Sequence, residues 1–302
     1  MPRQLTICIV APSGIVTDDG GFERMKNFFR SRDVDVIVPE AVHATHERFA
    51  GDDQTRIDAL HEVFARDDVD IVLAARGGYG LSRLLDKVDY DLLARSGKIL
   101  IGHSDITALS LALLAKKSCI SFAGPHAIGD FGDLSPSEFT TRHFFQVLDS
   151  TQSEIIVDTP NPYEFQARGT LWGSNLSLVA ALVGTPYMPD IDNGILFLED
   201  INEAPYRVER MLYQLFHAGI LQRQKAILLG DFRCDNSNAG NGYDLQKVVK
   251  HFRERLEVPI LTGLPFGHIR DKLTLPIGAT CQISAMRQQF QLSFSQAQRR
   301  QK

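Results

Sequence analysis

Apolar and polar positions alternate along the first half of the chain in two different periods. Leu5 to Val10 is a short β-rich run ended by Pro12 and Gly14, and beyond it Phe22, Met25, Phe28 and Phe29 recur on one face of a helix. Val34 to Val38 reads as a second strand, and Ile57, Leu60, Val63 and Phe64 mark a second amphipathic helix. Ile71 to Ala75 is a continuous apolar run, the pattern of a buried parallel strand. Ile99 to Ile101 supplies one more strand, and an amphipathic helix runs from there to about Ala115. This alternation predicts an α/β fold: a mostly parallel sheet flanked by helices, with ligands bound beyond the carboxyl ends of the strands. A helix from about Pro136 to Leu148 completes an N-terminal domain over residues 1–150.

Residues 151–168 are polar, carry Pro160 and Pro162, and leave room for one short strand near Glu154 to Val157, so they read as a linker. The second domain, 169–302, opens with an apolar helix to Val183 and a strand at Ile195 to Asp200. A helix beginning near Pro205 follows, with Val208, Met211, Leu212 and Leu215 as its stripe. A strand at Ala226 to Leu229 and a helix from Leu245 to Leu256 come next, and the chain is β-leaning from Ile260 onward. Its charged end, Arg299 to Lys302, is expected to fray.

Composition narrows the classes of function. A chain of 302 residues is comfortable for two domains, and 44% hydrophobic with 23% charged residues is ordinary for a globular protein. No apolar run approaches the ~20 residues of a membrane span, and the first is too short for a signal-peptide core. Cys8, Cys119, Cys234 and Cys281 are scattered without paired spacing, which suits a reducing cytoplasm. A net charge of -5 without a basic cluster gives a nucleic-acid partner no footprint, leaving small-molecule or peptide chemistry.

Within that frame, Gly102-His103-Ser104-Asp105 places a serine on a sharp strand-to-helix turn, where backbone N–H groups can stabilise a developing oxyanion. Two readings stand: a nucleophile, or a helix cap. Ile106 occupies the place of the second glycine of a nucleophile elbow, so an ordinary α/β-hydrolase is a weak assignment. Arg76-Gly77-Gly78-Tyr79-Gly80 follows a buried strand and suits a phosphate cradle, an oxyanion hole or simply a tight turn. Glu199 and Asp200 end an apolar strand, where one carboxylate can orient a histidine while its neighbour faces water; a solvated strand end or a cap is the other reading. His268 lies in a loop after Gly263-Leu264-Pro265-Phe266-Gly267. No ligand-spaced pair supports a metal, and no cofactor is expected.

Five segments appear in the order found in one family: Arg76 to Gly80, Gly102 to Leu109, Gly169 to Leu176, Leu198 to Arg210 and Gly263 to His268. Through them the chain resembles the LD-carboxypeptidases, serine peptidases of peptidoglycan recycling, from about residue 5 to about residue 280. The resemblance implies an N-terminal α/β domain joined to a smaller, β-containing C-terminal domain. It implies a triad of Ser104, Glu199 and His268, with an oxyanion hole from the backbone N–H groups of Gly78 and Asp105. The implied reaction releases terminal D-alanine from a murein tetrapeptide, in a cytoplasmic homodimer without metal or cofactor. Trp172, Asn175, Glu203 and Tyr206 belong to the matching segments and are expected to line the pocket. Arg76 suits either a substrate carboxylate or a structural ion pair. The alternatives are a relative that hydrolyses peptide–nucleotide toxins, as microcin-immunity proteins do, and a non-catalytic binding protein.

Overall fold

The computed structural model describes residues 4–17, 20–149, 152–235 and 240–295. The charged end at Arg299 to Lys302 lies outside them. The first unit runs β1 (Leu5–Val10), α1 (Gly21–Arg30), β2 (Val34–Ile37), α2 (Asp53–Ala65), β3 (Ile71–Ala74), α3 (Tyr90–Arg95), β4 (Ile99–Ile101), α4 (Ile106–Lys117), β5 (Ser121–Ala123) and α5 (Glu138–Asp149). Its strands pair in parallel in the order β2-β1-β3-β4-β5, the arrangement the alternation predicts. All four residues of β3 are buried, because helices cover both faces of the sheet. Helix starts are set locally: Asp52 accepts from the N–H of Thr55 at α2, and Asp89 from that of Leu92 at α3. On α1, Phe22, Met25 and Phe29 are buried, while half-buried Phe28 packs on Phe131 and carries Arg32 over its ring.

The second unit comprises β6 (Gln152–Asp158), β7 (Phe165–Asn175), α6 (Leu176–Ala181), β8 (Ile195–Ile201), α7 (Pro205–His217), β9 (Ala226–Arg233), α8 (Leu245–Arg255), β10 (Ile260–Thr262), β11 (Leu275–Ile277), β12 (Thr280–Met286) and β13 (Gln289–Ser295). Its seven-stranded sheet has the order β10-β9-β8-β7-β12-β13-β6. The strands β7 to β10 are parallel, while β12, β13 and β6 form an antiparallel extension. The expected linker at 151–168 is thereby corrected, since it holds β6 and the first residues of β7. Glu154 and Ile156 are exposed while Ile155 and Val157 are buried, the alternation of an edge strand covered on one face. The intervening proline turn is pinned too: Thr159 and Asn161 donate through their N–H groups to the carbonyls of Gln288 and Arg287.

The two units also exchange chain. Although β10 belongs to the second sheet, β11 pairs antiparallel with β5 as the sixth strand of the first, so residues 169–302 are not confined to one unit. The segment between them crosses the junction and is tied to the start of α5. Thr140 Oγ1 donates to the carbonyl of Arg270 (2.8 Å) and accepts from the N–H of Lys272 (2.9 Å), and Ser137 donates to Asp271 (2.6 Å). At the same junction α4 is buried from Ile106 through Leu113, packed by α3, β5, α6 and β7. The expected amphipathic helix is therefore enclosed on all sides over its first eight residues, as their run of apolar and small side chains allows, and only its last turn, with Lys116 and Lys117, is exposed.

Candidate active site

The chain turns from β4 into α4 through Gly102-His103-Ser104-Asp105. Ser104 has a φ of 58°, in the left-handed region that costs a non-glycine residue about 1–2 kcal/mol. Anchors on both sides impose that conformation. The N–H of Gly102 donates to the carbonyl of Phe122 (3.1 Å), and Asp105 accepts from the Ser13 hydroxyl (2.6 Å) and the N–H of Leu81 (2.9 Å). Burial holds the Asp105 carboxyl above its ordinary pKa. The cap reading of Ser104 is set aside, since the N-cap position of α4 is Asp105 and no side chain accepts there.

The glycine loop packs directly on this serine. A Cβ on Gly77 would lie 2.7 Å from Ser104 Cβ and 2.8 Å from its Oγ, closer than atoms pack. Gly78 beside it is exposed, with a φ of 115° that a side chain would disfavour. Among the described residues, the backbone N–H groups of Gly78 and Asp105 meet no protein acceptor.

Glu199 and His268 come together from the second unit. His268 Nδ1 donates to Glu199 Oε2 at 2.8 Å, and Glu199 Oε1 accepts from Asn175 Nδ2 at 3.0 Å, with the glutamate fully buried. The loop bearing His268 is the segment that crosses between the sheets. It lies so close to β9 that a Cβ on Gly230 would stand 2.4 Å from the carbonyl oxygen of Phe266. The His268 ring meets the His103 ring edge-on, 4.9 Å between centroids, which sets it beside the residue preceding Ser104. Asp200 does not face water as expected. It is buried, accepts from the N–H and hydroxyl of Ser177 (2.9 and 2.7 Å), and burial raises its carboxyl pKa.

Two further histidines went unnoticed in the sequence. His103 and His126 are buried and stacked, with ring centroids 4.0 Å apart. His103 Nδ1 donates to the carbonyl of Gly124 (2.8 Å), and His126 Nε2 lies 3.2 Å from the carbonyl and 3.3 Å from the nitrogen of His103, so either tautomer finds a partner. Beneath them Asp130 accepts from the N–H of His126 (2.7 Å) and pairs with Lys272. Burial, and then the neighbouring cations, push His126 down to about 3 and hold His103 well below its ordinary value.

Stability therefore depends on pH with a definite sign. The unfolded imidazoles bind protons below about pH 6.5 while the folded ones do not, so stability falls with acidification, by about 2 kcal/mol at pH 5 for His126 and in the same direction for His103. Asp105 and Asp200 act oppositely, because the folded state binds their protons first. Urea unfolding at pH 7 and pH 5 is expected to show a smaller loss for His126→Asn than for the parent chain. Equal losses would contradict this assignment.

The expected pocket residues divide. Trp172 is a core residue, 1% exposed, its indole N–H donating to Gln224 (2.9 Å); the expectation of a pocket wall is corrected by its place on the enclosed parallel strand β7. Asn175 is also buried, where it holds Glu199, reaches Asp200 (3.2 Å) and caps α6 by accepting from the N–H of Leu178. Its own N–H donates to Thr107 of α4 (3.2 Å), which joins the glutamate's support to the serine's helix. Tyr206 is exposed, and Glu203, just ahead of α7, pairs with Arg207 at 3.6 Å. All four cysteines are free. Among the described residues no group of three or more His, Cys, Asp or Glu is placed to hold a metal, and no helix is long and apolar enough to cross a membrane.

The family model described as the LD-carboxypeptidase N-terminal domain matches residues 7–124, and that described as the C-terminal domain matches residues 168–283. The chain belongs to the LD-carboxypeptidase family. With membership comes the enzyme class, a serine-type carboxypeptidase. The chain is 32% identical to a probable murein peptide carboxypeptidase of Bacillus subtilis, over 91% of this chain and 87% of the relative. The crystal structure of a muramoyltetrapeptide carboxypeptidase from Oxalobacter formigenes superposes with a TM-score of 0.91 at 42% identity, covering 96% of this chain and 99% of that one. The microcin C7 self-immunity protein of Escherichia coli is 27% identical, over 87% and 85% of the two chains.

Proposed function

We propose that the enzyme releases terminal D-alanine from murein tetrapeptides by hydrolysing the bond between an L-configured centre and that residue. The observation that carries the mechanism is the 2.8 Å bond from His268 Nδ1 to a fully buried Glu199, with the His268 ring against His103, the residue that precedes a serine held at positive φ. With Nδ1–H committed to the carboxylate, Nε2 is the basic nitrogen, and it takes the proton of Ser104 as Oγ attacks the scissile carbonyl. The N–H groups of Gly78 and Asp105 receive the oxyanion. The amine of D-alanine leaves with the proton from His268. Water then attacks the acyl-serine, His268 removing its proton and returning one to Ser104. Glu199 stabilises the imidazolium and keeps its tautomer. The substrate class is supported by the murein peptide relatives. On this reading the enzyme acts as a cytoplasmic homodimer on recovered wall fragments, and light scattering should give twice the 33.7 kDa chain mass.

Incubation with a muramoyl tetrapeptide, followed by mass spectrometry, should show loss of one alanine that persists with a chelator present. The microcin self-immunity relative supplies the competing substrate class. Cleavage of an aminoacyl-sulfamoyl nucleoside with the tetrapeptide left intact would overturn the proposal. The contact between the glycine loop and the serine gives a second check. Gly77→Ala forces a Cβ against Ser104 Oγ, so kcat should fall at least about 100-fold from the displaced nucleophile, with the far-ultraviolet circular dichroism unchanged. Activity within a few-fold of the parent would contradict that packing.

A further inference from the structure

We propose that Arg76 is the anchor for the free C-terminal carboxylate of the substrate, and so a residue that makes this serine hydrolase an exopeptidase. The inference rests on the murein peptide reading and extends it to a binding subsite. An enzyme that removes one terminal residue must recognise a carboxylate about 4 Å, one Cα spacing, beyond the scissile carbonyl. The group that meets it has to stand one residue and one ion pair away from the nucleophile, roughly 8 Å. Arg76 precedes Gly77, the residue packed on Ser104, and its guanidinium lies over the loop after β1: Nη1 donates to the carbonyl of Ile15 (2.8 Å), and a Cβ on Gly14 would sit 3.8 Å from its Cζ. That single bond to a carbonyl orients the guanidinium and leaves four of its five N–H donors for a ligand.

Two other cations near the serine are committed, while Arg48 lies over the ring of Tyr79. Lys272 is buried against Asp130, and Arg56 is buried with Asp53 and the carbonyl of Pro12. Arg76, by contrast, is exposed and has no carboxylate partner among the described residues. The structural ion pair that the sequence left open for it is therefore absent among those residues. Its charge also reaches the floor of the site, where it is one of the cations opposing protonation of His126. A planar guanidinium with two open edges matches a carboxylate through paired, charge-assisted hydrogen bonds.

The test compares a tetrapeptide ending in free D-alanine with its C-terminal amide, in the parent chain, Arg76→Gln and Arg76→Lys. The parent should prefer the free acid by about 10- to 100-fold in kcat/KM. Arg76→Gln should erase that preference chiefly through KM, and Arg76→Lys should keep part of it. Titration of both peptides into Ser104→Ala, with and without Arg76→Gln, reads the same difference as affinity and is independent of turnover. A parent preference that survives in Arg76→Gln, or a loss shared equally by acid and amide, would overturn the role of Arg76 alone. A parent enzyme that cleaves neither peptide would remove the murein reading, and this inference with it.

Discussion

Ser104→Gly is expected to cost about 10⁶-fold in kcat and to yield a protein more stable than Ser104→Ala by about 1 kcal/mol. On the proposed mechanism, the loss of turnover follows from removing the nucleophile that forms the acyl intermediate. What remains over the uncatalysed rate comes from the two open N–H groups and from substrate positioning. The gain in stability has a separate cause. At φ 58° a Cβ meets the carbonyl oxygen that follows, a strain of about 1–2 kcal/mol that glycine lacks. Part of that gain is offset by the greater freedom of glycine in the unfolded chain. Ser104→Ala keeps the Cβ and the strain, so it shares the loss of activity without the gain. Urea unfolding of the two inactive variants side by side reads the difference, and a glycine variant less stable than the alanine variant would show that the turn is not strained.

Glu199→Gln should lower kcat by about 10⁴-fold, with substrate affinity nearly unchanged. The buried carboxylate has a donor on each side, Asn175 Nδ2 at Oε1 and His268 Nδ1 at Oε2. A glutamine amide satisfies only one of them. Turned with its NH2 toward the imidazole, it imposes the Nε2–H tautomer, and the nitrogen that should accept the serine proton then carries one. Turned the other way, it sets two donors face to face beside Asn175 in a dry site, which costs about 1–3 kcal/mol. Steady-state kinetics together with the ¹⁵N shifts of His268 separate these effects. A glutamine variant with parent-like kcat would remove Glu199 from the mechanism.

The parallel sheet was legible because its strands are covered on both faces and read as unbroken apolar runs, as at Ile71 to Ala74. Residues 152–158 were legible only as a short strand near Glu154 to Val157 within a linker, since an edge strand covered on one side presents every second residue to water and Pro160 imitates a linker. The serine turn announces itself through local order, a strand, a glycine and a helix. Glu199 and His268 lie 95 and 164 positions further on, and no local rule connects them to it; they meet because the chain crosses from β10 to β11 past the end of β4. Membership of a matching segment also says nothing about direction. Trp172 and Asn175 share one segment, yet one fills the core and the other holds the glutamate. Of the stacked pair, His103 left a trace that could have been followed, since it sits just past the predicted strand Ile99 to Ile101, where a parallel sheet places its ligands; His126 follows the short strand β5, which the sequence pattern does not mark.

The central claim is that residues carried by two units of the fold act as one catalytic group. It is tested most directly by kcat for the double variant Ser104→Ala with His268→Ala against the two single variants. If the three side chains work as a unit, each single substitution removes nearly all the acceleration, and the double variant is no slower than Ser104→Ala. Losses that multiply, with the double variant slower by the full factor of His268→Ala, would show that the two residues act independently and would contradict the account.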